Sequence, residues 1–260
     1  MGLFRNLSRK FNGPCCHLAT EEKSWIENRM IWLREQFGSE PIRRPPLDPT
    51  SELLPKKWDG SYSGGADLFQ RLCSYMLVDP SRLELQYFSE REPIQVMPGF
   101  HESNRSGPAG LFIHPQKQDR LIIALDARGL SRPAALAATI CHELSHVHLL
   151  ADKRIAREAE DNEPLTDLLT VYFGAGILTA NARFQFGQWQ DGQRQGWHAS
   201  SLGYLSEAQF GYSLACYSWS RGDTVPAWRK HLRENIEYYF DESMHFVVTT
   251  RDTTVAFGGA

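Results

Sequence analysis

The stretch Thr139-Ile140-Cys141-His142-Glu143-Leu144-Ser145-His146-Val147 decides how the rest of the chain is read. It lies in a run that opens with Ser131 and Pro133, an N-cap followed by a first-turn proline, and stays helical in pattern to about Leu150. Ala134, Leu136, Ile140, Leu144, Val147 and Leu149 make that helix broadly apolar, which assigns it to a core. Its two histidines are four residues apart, displaced by about 40° on a helix of 3.6 residues per turn, so both rings can reach one ion. Glu143 sits beside that face, placed to hold a water on the ion without being a ligand. Burying two histidines and a glutamate in such a helix is costly unless something pairs with them, and a metal ion is the natural partner. Neutral imidazoles suit a borderline-soft dication such as Zn2+, which needs one more protein ligand and an open position. His148 is not counted as a ligand, because two residues past His146 it lies about 200° around the helix.

The third ligand is sought among Glu158, Glu160, Asp161, Glu163 and Asp167. Glu163 is preferred because it opens the next helix in Asn162-Glu163-Pro164-Leu165-Thr166-Asp167. Asp167, four residues on, shares its face, so one carboxylate can bind the ion while the other accepts the second N–H of a liganding histidine. Only sixteen residues separate His146 from Glu163. The spacing demands a tight helical hairpin and leaves Asp161 and Glu160 as alternatives.

These residues resemble the gluzincin metallopeptidases related to thermolysin. In that group HExxH on one helix is followed by a glutamate ligand on a second, with an aspartate four residues later in an N-E-x-x-x-D-like setting. His142, Glu143, His146, Asn162, Glu163 and Asp167 match position by position, over about 26 residues, and no likeness is claimed for the other nine-tenths of the chain. The resemblance implies one Zn2+ held by His142, His146 and Glu163, Asp167 behind a ligand, Glu143 as general base, and a peptide or protein substrate. The developing oxyanion needs a further donor, for which His198, Tyr204, Tyr212 and His231 are candidates. The resemblance also implies that substrate lies along an edge strand, and Gly110 to His114 is the run that fits. The competing expectation is a catalytically silent metallopeptidase-like protein that binds or regulates without cutting.

Around this centre the chain reads as α+β: a small, mostly antiparallel sheet followed by a helical, metal-binding, zincin-like half. Residues 1–20 form a basic tail, 21–66 a helix and a Pro/Gly-rich connection, 67–245 the metallopeptidase-like domain, and 246–260 a C-terminal tail. Helices are expected from Thr20 to Gly38, Asp67 to Leu77, and at about 164–182, 205–220 and 226–240. Short strands are expected at Leu83 to Phe88, Gly110 to His114 and Leu121 to Leu125.

At 260 residues with 42% hydrophobic content the chain can bury a full core, and 28 basic against 31 acidic residues supply no field to gather nucleic acid. No apolar run spans a bilayer, although Leu3, Phe4, Leu7 and Phe11 opposite cations give residues 1–12 a weak membrane-surface character. An odd count of five cysteines without framework spacing, and no secretory leader pattern, point to the cytoplasm.

Overall fold

The computed structural model describes residues 13–89, 109–115, 120–182 and 204–258. Three strands, β1 (Leu83–Phe88), β2 (Gly110–Ile113) and β3 (Leu121–Asp126), form one sheet in the order β1-β3-β2. β2 pairs with β3 antiparallel, Gly110 opposite Leu125, whereas β1 runs parallel to β3, Leu83 opposite Leu121. The sheet is therefore mixed, which corrects the expectation of a mostly antiparallel one. A parallel pair needs a crossover of a dozen or more residues, and the long connection between β1 and β3 provides it.

β3 is buried at all six positions. Leu121, Ile123 and Leu125 join the main core, while Ile122 and Ala124 pack with Phe88 and Ile113 on the opposite face. This period-two split makes a central strand apolar on both sides.

The helices are α1 (Thr20–Phe37), α2 (Glu40–Arg43), α3 (Tyr62–Tyr75), α4 (Pro133–His146), α5 (Asn162–Tyr172), a run over 176–182 (α6), α7 (Glu207–Ser220) and α8 (Glu234–Thr250). Several ends differ from the sequence reading for local reasons. Ser61 caps α3 through the Gly64 N–H, so the helix starts at Tyr62, five residues before the expected Asp67. Ser131 does not cap α4; its hydroxyl donates to the Arg128 carbonyl within a 3-10 turn, and Arg132 takes the cap position. The expected helix over 164–182 breaks at Phe173 and Gly174, where Gly174 adopts φ +84° and a Cβ would stand 2.7 Å from the Tyr75 hydroxyl. The expected helix over 226–240 is a 3-10 turn, Ala227–His231, followed by α8, which continues past residue 245 to Thr250.

α4 packs against β2, β3, α3 and α5, while α1 covers α5 and α7, and α7 lies along α8. Leu33, Leu72, Ile140, Leu168, Phe210 and Ile236 from six of these elements are fully buried in one cluster. Each contributes roughly 1.5–3 kcal/mol by leaving water.

After α4 the helix widens into a single π-type turn, Val147–Ala151. His148 donates from Nε2 to the Met76 carbonyl at 2.7 Å and packs with the rings of Phe37 and Phe173, which also touch each other, and it is not part of the donor group of His142, His146 and Glu163. Arg154 closes the turn on the His148 carbonyl and Asp152. The short connection thereby returns the chain so that α5 starts beside the end of α4. Among the described residues no helix is long and apolar enough to cross a membrane.

Candidate metal centre

α4 presents His142 and His146 one turn apart, their rings 5.0 Å between centroids and nearly perpendicular. α5 supplies Glu163 from its first turn. The Nε2 atom of His142 lies 3.3 Å from Glu163 Oε2, and that of His146 lies 3.6 Å from Glu163 Oε1. One nitrogen from each ring and one carboxylate oxygen all fall within 4.8 Å of one another.

The hydrogen bonds behind the rings fix their tautomers. His142 Nδ1 lies 3.0 Å from Asp167 Oδ1, and a carboxylate can only accept, so Nδ1 carries the proton. Thr166 donates its single hydroxyl proton to the Asn162 carbonyl at 2.7 Å; its oxygen therefore accepts from His146 Nδ1 at 3.3 Å. With both rings neutral the Nε2 lone pairs face Glu163, the arrangement in which imidazoles bind a metal while their outer N–H groups are anchored. The other Asp167 oxygen accepts the Leu205 N–H at 3.2 Å, tying the segment before α7 to the same carboxylate.

Two neutral imidazole nitrogens and a carboxylate oxygen are a donor set for a divalent ion of borderline softness, so the residues fit such an ion. Asp161, kept as an alternative ligand, is instead engaged by Trp25 Nε1 and Arg29 from α1, and Glu160 is exposed.

Glu143 is 5% exposed and follows His142 on α4 without joining the donor triad. Burial lifts its carboxyl to about pH 7, with Glu163 adding to the shift; His142 and the Phe112 backbone N–H oppose it. Burial also penalises the charged form of His142, but Asp167 and Glu163 outweigh it and raise the ring to about 10. His146 goes the other way, to about 3, through burial and the neighbouring His142 charge. The metal-free centre thus holds His142 as an imidazolium, with Nδ1–H on Asp167 and Nε2–H toward Glu163, and His146 neutral.

The walls are aromatic. Phe112 of β2 stacks on His146 with centroids 6.1 Å apart, and Tyr204 lies over His142 at 5.8 Å. Of the other donor candidates, Tyr212 is spent on Glu27, and His231 gives its carbonyl to Asn181. Among the described residues no hydrogen bond, ion pair or ring contact joins the His231 imidazole to the triad. His198 lies outside the described residues.

Thr166 and the backbone N–H of Phe112 and Leu205 escaped sequence reasoning. Thr166 had a signal, since it falls three residues after Glu163 on the face that carries Asp167. Backbone donors from remote segments leave none. Comparison with protein-family models, with curated proteins and with solved structures returned no match to this chain.

Proposed function

We propose that this chain is a zinc-dependent peptidase of gluzincin type, with a zincin-like arrangement of sheet and metal helices. One observation carries the reading: His142 and His146 turn their Nε2 atoms toward Glu163 while Glu143 stands beside them against strand β2. A purely structural metal would need no buried carboxylate beside it that is not a ligand.

When bound, zinc supplies Lewis acidity toward a water and a substrate carbonyl. His142, His146 and Glu163 hold it, and Asp167 and Thr166 keep the two rings turned. Glu143, buried beside the ligands, takes the proton from the attacking water on an ε-oxygen and later gives it to the departing amine nitrogen. Among the described candidates Tyr204 has its ring against His142, and its hydroxyl is assigned to the oxyanion. β2, at an edge of the sheet among the described residues, supplies backbone for an extended peptide. A cytoplasmic setting suits Cys73, Cys141 and Cys216, buried free thiols that burial pushes upward in pKa.

The test compares the native protein with Glu143→Gln on a mixed peptide library. Native protein should cleave and the variant should not, with equal zinc content in both. Equal cleavage refutes the base, and metal retention without any cleavage by the native protein supports a binding role instead.

A further inference from the structure

Gly110 opens β2 opposite Leu125 and is buried against α4. Its backbone is not among those with positive φ, so conformation does not call for glycine here. Space does. A Cβ at this position would stand 2.6 Å from Thr139 Cγ2, 3.0 Å from Glu143 Cγ and 3.0 Å from Glu143 Oε1. The hydrogen at Gly110 is therefore what lets the Glu143 side chain lie flat on the edge strand. Two residues further on, the Phe112 N–H meets the same carboxylate.

We propose that Gly110 is a positioning residue for Glu143: the missing side chain leaves the slot that sets where the base's carboxylate stands relative to the metal ligands. The inference rests on the reading of Glu143 as base, but the geometry behind it does not. Glu143 is nearly inaccessible to solvent, with Thr139 one turn before it on α4, so a carboxylate pushed off β2 has little room except toward the ligands. Misplacing a proton-transfer group by a fraction of an ångström to an ångström acts on the chemical step more than on binding.

Three variants separate positioning from packing. Thr139→Ser deletes the methyl that a Cβ would strike hardest while keeping a hydroxyl for the Ala135 carbonyl, and on its own should cleave within about threefold of native. Gly110→Ala alone carries both clashes and serves as the folding control. Gly110→Ala combined with Thr139→Ser removes the Thr139 clash and keeps the two close approaches to Glu143. The double variant should fold with native-like Tm and bind one zinc. Its kcat on the library should fall by about tenfold or more with KM within about threefold, and a crystal structure should show the Glu143 carboxylate displaced from the Phe112 N–H. A double variant with native kcat and an unmoved carboxylate overturns the proposal and leaves Gly110 a packing residue. If the native protein does not cleave at all, the peptidase reading fails separately, and the carboxylate position in the double variant still decides whether Gly110 sets it.

Discussion

Asp167 on α5 and His142 on α4, 25 residues apart in sequence, meet at 3.0 Å through Oδ1 and Nδ1. This contact turns the Nε2 of His142 toward Glu163, and through Leu205 it also fixes the segment that carries Tyr204. Replacing Asp167 by asparagine removes the charge and leaves one acceptor for two donors. Zinc affinity, measured against a chromophoric chelator, should weaken by about 10- to 100-fold while the fold persists. Unchanged affinity would mean that the ring is oriented by something else.

Proton linkage gives a second prediction. In the metal-free protein His142 titrates near 10, above its ordinary 6.5, because Asp167 and Glu163 hold the imidazolium against the cost of burial. A raised pKa stabilises the fold fully below the ordinary value, and that contribution is lost as pH climbs through 10. Zinc requires the neutral ring and displaces its proton. Calorimetry at pH 8 in buffers of different ionisation enthalpy should record about one proton released per ion. The chelated protein should lose thermal stability between pH 8 and 10 where the loaded protein does not.

Tyr204 is tested by Tyr204→Phe, which keeps the ring over His142 and removes the hydroxyl. If that hydroxyl stabilises the oxyanion, kcat falls by about tenfold or more with zinc content and KM little changed. A native kcat would return the role to another donor.

How much of this was legible in the residues follows from range. The HExxH helix, Glu163 and Asp167 announced themselves because their grouping depends on helical spacing, and β1 and β3 because short apolar runs between turn residues read as strands. The parallel pairing of β1 with β3 did not, since direction is set by the path of the connection and not by either strand's composition. The break at Gly174 was hidden because Leu165 to Ala182 reads as one mostly apolar run, and only packing against Tyr75 and Tyr217 reveals why a glycine turns there. The slot at Gly110 was hidden for the same reason: a glycine's role is written in its neighbours, Thr139 and Glu143.

Away from the centre, Glu27 tests the packing of α1. It is 2% exposed and accepts from the Tyr212 hydroxyl at 2.5 Å and from Thr254 N and Oγ1, with Lys23 Nζ 3.3 Å away. Burial opposes its ionisation, but the bonds from Tyr212, Thr253 and Thr254 prevail and hold the carboxyl below its usual value. A lowered pKa contributes stability above the ordinary carboxylate range and loses it as pH falls through the folded value. Glu27→Gln should cost about 1–3 kcal/mol by denaturant unfolding at pH 7 without altering zinc content. An unchanged unfolding midpoint would show that the charge contributes nothing.

The central claim is that His142, His146 and Glu163 grip one divalent ion. Elemental analysis and zinc titration of untagged protein test it directly. The account predicts one zinc per chain, kept in Glu143→Gln, lost in His142→Ala and His146→Ala, and weakened by orders of magnitude in Glu163→Gln. A native chain that binds no stoichiometric ion, or a His146→Ala variant that binds it as tightly as native, would contradict the account.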